Sequence, residues 1–135
     1  MTHFLTQQQV LYLHNTSLIL YGGSSGIRST ELLSSALAQP QAQFGNQLLH
    51  ATVYEQASAY LFHIIKNHPF VDGNKRTALL CWLVFLKLNG HACTLNHDQL
   101  FALAIGASSS RIDKKMLHDI LATNNVTTAA AKETT

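Results

Sequence analysis

Apolar residues recur along most of this chain at helical rather than strand spacing. Val10, Leu11, Leu13, Leu18 and Tyr21 follow Thr6-Gln-Gln-Gln9, whose hydroxyl and amide form a capping-box pattern, and Gly22-Gly23 ends the run. A second, short helix is predicted after Ser29, with Glu31 in its first turn, Leu32, Leu33, Ala36 and Leu37 on one side, and Pro40 beyond it. The segment 41–50 carries Phe44 and Leu48-Leu49 without a clear period and reads mostly as loop. Val53, Ala57, Tyr60, Leu61, Ile64 and Ile65 then define an amphipathic helix ending near Asn67, where Pro69 forbids continuation.

From Asn74 to Asn89 the pattern changes, because Leu79, Leu80, Trp82, Leu83, Val84, Phe85, Leu86 and Leu88 leave almost no polar face. A helix that is apolar nearly all round belongs at the centre of a bundle, and Gly90 closes this one. Asn96-His-Asp-Gln99 is a second capping box, opening a helix through Leu100, Leu103, Ala104 and Ala107 that breaks at Ser108-Ser-Ser110. Asp113 caps a last helix with Met116, Leu117, Ile120 and Leu121 facing inward. Strand character is confined to 92–95. The expected class is all-α, a compact bundle of about six helices. Residues 1–122 form one domain, and 123–135, poor in large apolar side chains, a flexible tail.

Composition narrows this picture. A chain of 135 residues supports one sizeable core. Apolar content of 47% against 12% charged implies helices packed on more than one side, with some apolar surface left over. A net charge of +2 is too small to argue for direct binding to nucleic acid or to a membrane surface. The first residues lack the basic-then-apolar order of a signal peptide, and the run 78–86 is short of the roughly 20 residues that span a bilayer. A cytoplasmic protein with two free thiols, Cys81 and Cys93, is therefore expected.

The chemistry concentrates in His68-Pro-Phe-Val-Asp-Gly-Asn-Lys-Arg76, immediately before the central helix. An imidazole at His68 can take a proton near neutral pH. Asp72 is a hard oxygen ligand suited to Mg²⁺. Gly73-Asn74 opens a helix start whose backbone N–H groups bind anions. Lys75 and Arg76 add positive charge where it opposes the helix dipole, and an anionic ligand explains that placement. Taken singly, His68-Pro69 could shape a turn and Asp72 could cap the helix. Together, at these offsets, the residues describe phosphate chemistry. His91, Cys93 and His97 lack a fourth ligand at zinc spacing.

This stretch, with Thr77 after it, resembles the signature of the Fic/Doc family (His-x-Phe-x-Asp/Glu-Gly/Ala-Asn-Gly/Lys-Arg), and in particular its Doc branch of death-on-curing toxins. The resemblance extends from Tyr21-Gly-Gly23 through Asn89-Gly90 to the final helix. It implies transfer of a phosphate-containing group from a nucleotide to a protein hydroxyl. His68 then corresponds to the catalytic base, Asp72 to the holder of Mg²⁺ on ATP, Gly73 and Asn74 to the anion hole, and Arg76 to the phosphate-gripping arginine. The loop from Tyr21 to Arg28 corresponds to a flap over the site and makes Arg28 a candidate contact to substrate or nucleotide.

Fic adenylyltransferases usually carry Gly where this chain has Lys75 and a second arginine where it has Leu79. The Doc branch carries Lys and an apolar residue there, which implies ATP bound in the opposite sense and transfer of its γ-phosphate. Gly73 and Pro69 are closer to the Fic form and keep adenylylation as the alternative. A catalytically idle, partner-binding bundle is a further alternative. The inhibitory Ser/Thr-x-x-x-Glu pattern of many Fic proteins fails at each glutamate, since Ile27, Ala51 and Ala129 stand four residues before Glu31, Glu55 and Glu133. The resemblance therefore implies restraint by a separate antitoxin. For a target it suggests the translation machinery, specifically elongation factor Tu. Nothing in the sequence fixes an oligomeric state.

Overall fold

The computed structural model describes residues 1–127, the last three by their backbone. Its helices are α1 (Gln7–Tyr21), α2 (Thr30–Ala38), α3 (Val53–Asn67), α4 (Asn74–Leu88), α5 (His97–Ser108) and α6 (Lys114–Thr123). This is the all-α bundle that the apolar periods predict. The caps are the expected ones. Thr6 and Asn96 each complete a reciprocal capping box with Gln9 and Gln99, while Ser29 and Asp113 accept from Leu32 and Met116 N–H.

α3 and α4 form the centre, with α1 and α5 against α4, and α2, α5 and α6 against α3. Tyr60, Leu61 and Ile64 of α3 meet Ala78, Cys81, Trp82 and Phe85 of α4 in the buried core. Burial pushes the Cys81 thiol well above its usual range, so it stays neutral there. The Tyr60 hydroxyl accepts from Leu5 N–H at 2.8 Å, which satisfies the one polar atom of that buried ring and ties the start of the chain to α3.

Three details depart from the sequence reading. The segment 41–50 contains a short antiparallel hairpin, β1 (Gln43–Phe44) with β2 (Gln47–Leu48), turning at Gly45 with φ 64°. The first residues assigned to a tail, 123–127, carry secondary structure instead. Thr123 ends α6, and β4 (Asn125–Thr127) pairs antiparallel with β3 (His91–Cys93). A backbone ladder needs no large apolar side chains, so composition gave no sign of it. Residues 128–135 of that expected tail lie outside the described residues. Finally, α4 is not buried all round, since Leu79, Leu80 and Leu83 remain half-exposed on one face.

No helix among the described residues is long and apolar enough to cross a membrane.

Candidate active site

The signature loop links α3 to α4, and local chemistry fixes both of its ends. His68 is the C-cap of α3 in the left-handed conformation (φ 50°), an uncommon backbone for a non-glycine residue. Arg28 holds this turn from outside. Its Nε donates to the His68 carbonyl at 2.6 Å and a terminal nitrogen donates to the Asn67 carbonyl at 2.8 Å. The planar fork thus satisfies two carbonyls left open at the end of α3. These bonds direct the Arg28 guanidinium toward the backbone at the end of α3.

At the other end, Gly73 is the N-cap of α4 with φ 78°. The buried Asn74 side chain closes the loop on itself, accepting from Phe70 N–H and donating to Phe70 O, each at 2.9 Å. The first intrahelical bond runs from Thr77 N to Gly73 O. The N–H groups of Asn74, Lys75 and Arg76 therefore belong to the open helix start that anions favour.

Beneath the loop lies a contact that sequence reasoning missed. The buried face of α1 is Val10, His14 and Ser17 rather than its leucines. The His14 ring stacks on Phe70 with centroids 3.8 Å apart and an interplanar angle of 8°. Its Nε2 lies 2.8 Å from the Asp72 backbone oxygen, so the proton sits on Nε2 and is donated to that carbonyl. A Cβ on residue 73 would stand 3.6 Å from Ser17 Oγ and 3.7 Å from the His14 ring. A polar residue at the i+4 and i+7 positions after Val10 was the available signal.

The flap is docked as a strand-like edge. Ile27 bridges Phe70, Val71 N–H donates to Gly26 O, and Arg28 and Ser29 N–H both donate to Pro69 O. Its tip reaches the acidic residue. Ser24 N–H donates to Asp72 Oδ2 at 3.0 Å, and Gly73 N–H donates to Oδ1 at 2.8 Å. These two backbone donors, with smaller contributions from Arg76 and His14, hold the Asp72 carboxyl below its usual range and keep it ionised. The approach is close enough that a Cβ on residue 23 would fall 2.8 Å from Oδ2.

His68, Asp72, Gly73, Asn74, Lys75 and Arg76 together line one cavity of about 210 Å³, closed by Ile65, Val71, Phe101 and Ser108. The structure thus brings together every predicted site residue except Arg28. Asp72 fits a Mg²⁺ ion that keeps waters and phosphate oxygens as its other ligands, because the carboxylate is exposed, ionised and retains lone pairs beside its two hydrogen bonds. Arg76 stacks on Tyr21 at the end of α1, with Cζ 4.7 Å from the ring centroid.

A helical bundle with an open helix start and an exposed histidine lining one cavity matches a known family. The Fic/DOC family model covers residues 4–86, more than half of the sequence, and the chain belongs to that family. It is 37% identical over 98 residues to "Toxin Doc" of Mycolicibacterium smegmatis (strain ATCC 700084 / mc(2)155), a match covering 73% of each chain. It is also 27% identical over 117 residues to "Protein kinase doc" of Escherichia phage P1, covering 87% of this chain and 91% of that one.

Proposed function

We propose that the protein is a Doc-type toxin that transfers the γ-phosphate of ATP to a hydroxyl of a translation factor, with elongation factor Tu the expected target. The observation that carries this reading is the convergence of His68, Asp72, the first turn of α4, Lys75 and Arg76 on one cavity. The names of its relatives, a toxin and a protein kinase, support the same reading.

In this reaction the target oxygen attacks the γ-phosphorus, the bond from that phosphorus to the β–γ bridging oxygen breaks, and ADP leaves. His68 takes the hydroxyl proton as the new O–P bond forms. The N–H groups of Asn74 and Lys75 and the Arg76 guanidinium hold phosphoryl oxygens with donors already oriented, so little reorganisation accompanies the transfer. Asp72 would hold Mg²⁺, which supplies neutralisation of phosphate charge. His14, Asn74 and Arg28 fix the backbone on which these groups stand. A cognate antitoxin would restrain the enzyme.

Gly73 and Pro69 favour a second reading, transfer of AMP to the same hydroxyl. Incubation of the protein with elongation factor Tu and either γ-labelled or α-labelled ATP separates the two. Retention of the γ label on the target is the expected result. Retention of the α label instead would replace the kinase by an adenylyltransferase. Transfer of neither label, alike for wild type and His68→Ala, would leave a binding module.

A further inference from the structure

Three consecutive serines, Ser108-Ser-Ser110, stand at the end of α5, and their hydroxyls are differently engaged. The Ser109 hydroxyl donates to Gly106 O at 3.2 Å and accepts from Arg111 Nε at 3.0 Å. Ser110, in the left-handed conformation (φ 65°), accepts from Lys66 Nζ through its hydroxyl. Arg111 and Ile112 N–H both donate to Gly106 O, which pins the turn further. The Ser108 hydroxyl, by contrast, belongs to an exposed residue and has no hydrogen-bond partner among the described residues.

Ser108 lines the 210 Å³ phosphate cradle together with His68, Asp72, Lys75 and Arg76. Among the described residues of that lining it is the one that carries a hydroxyl. Lys66 lies in the last turn of α3, just before His68, so its bond to Ser110 joins the serine turn to the turn that presents the base. Ile65 of α3 and Phe101 of α5 also line the cradle, so the two helices share its wall. In a cavity this small, a phosphoryl group gripped by Arg76 occupies the same space as the Ser108 hydroxyl. A tethered acceptor also avoids the entropy lost when a separate substrate is brought in. Lys66 and Arg111, both bonded to the serine turn, favour the negative charge that a phosphate would add there.

We infer that Ser108 is a self-phosphorylation site. The inference rests on the phosphotransfer reading and adds to it a second acceptor, within the protein's own chain. Ser108 Oγ attacks the γ-phosphorus of ATP held in the cradle, the bond from that phosphorus to the β–γ bridging oxygen breaks, and ADP leaves. The hydroxyl proton passes to the His68 imidazole, which lines the same cavity. Ser109 and Ser110 are poorer acceptors, because their hydroxyls are engaged and neither residue lines the cradle.

The test incubates the full chain with Mg²⁺ and γ-labelled ATP in the absence of any other protein, and locates the label by peptide mapping. The expected result is label on Ser108, gained at a rate per molecule that does not change on dilution, as transfer within one chain requires. Ser108→Ala should lose the label and Ser109→Ala should keep it. In His68→Ala its appearance should slow by roughly 10²- to 10⁴-fold. Because Ser108 is exposed and its hydroxyl unpartnered among the described residues, Ser108→Ala should melt near the wild-type temperature. Label that maps to another residue, persists in Ser108→Ala, or is gained faster per molecule at higher protein concentration would overturn the inference. Parallel reactions with elongation factor Tu keep its failure distinct from that of the phosphotransfer reading. Label on elongation factor Tu with none on Ser108 would overturn self-phosphorylation alone, whereas label on neither protein would overturn both.

Discussion

His14 Nε2 donates to the backbone oxygen of Asp72 across 2.8 Å, joining the buried face of α1 to the residue that carries the site's carboxylate. The same ring lies flat on Phe70. One buried side chain therefore sets both the height and the tilt of the loop between Phe70 and Gly73. Replacing His14 by Ala removes the donor and leaves that carbonyl over a void. We expect a loss of about 1–3 kcal/mol of stability in denaturant titration, with reduced transferase activity at temperatures where the variant remains folded. His14→Gln, which keeps an N–H donor, should recover part of both.

Arg28 offers a test between support and direct contact. If it acts by holding the His68 turn through the carbonyls of Asn67 and His68, Arg28→Lys should lower kcat roughly 10- to 100-fold while KM for ATP changes little. A rise in KM with kcat preserved would instead assign the guanidinium to the nucleotide.

Gly23 has φ 123°, and an added Cβ would meet Asp72 Oδ2 at 2.8 Å. Gly23→Ala therefore strains the backbone and pushes the flap off the carboxylate at once. A stability loss of about 1–3 kcal/mol is expected. The Mg²⁺ concentration needed for half-maximal activity should also change, since Ser24 N–H would no longer share the carboxylate. A variant with wild-type stability and metal response would show that the flap contact is incidental.

Acid should weaken the side of the bundle where α6 meets α3. Lys114 Nζ lies 3.1 Å from His50 Nε2 and 2.9 Å from His63 Nε2, and donates to both neutral rings. Burial, then the Lys114 charge, lowers both imidazoles, His63 to about 4, while the Gln39 backbone and, less, the Glu55 charge partly offset this at His50. A histidine depressed in the folded state leaves the unfolded chain binding more protons once pH falls below the ordinary value near 6.5. The contribution is thus intact above about pH 6.5 and declines as pH falls toward 4. Melting temperature should fall across that window, and His63→Gln should flatten the decline.

How much of this was legible depends on whether a feature is local in sequence. The caps at Thr6, Ser29, Asn96 and Asp113 were readable because a cap is decided within four residues. The cradle was readable because His68 to Arg76 is contiguous and its helix start follows from Gly73. What supports the cradle arrives from far along the chain. His14 and Ser24 reach Asp72 across 58 and 48 residues, so no local pattern marks them. On α1 the hydrophobic period favoured Leu11 and Leu13. The polar backbone of the signature loop instead gave His14 a partner on the buried face, and Ser17 is buried on the same face close to residue 73. The pairing of β4 with β3 escaped notice for a related reason, because main-chain bonds carry no side-chain signature.

The central claim is that His68 is the base of a phosphoryl transfer, and the rate of γ-phosphate transfer to elongation factor Tu by His68→Ala tests it most directly. His68 is exposed at the rim of the cavity, so the variant should keep its fold and melt near the wild-type temperature. Its transfer rate should fall by roughly 10²- to 10⁴-fold. A folded His68→Ala protein that transfers phosphate at the wild-type rate would contradict the account.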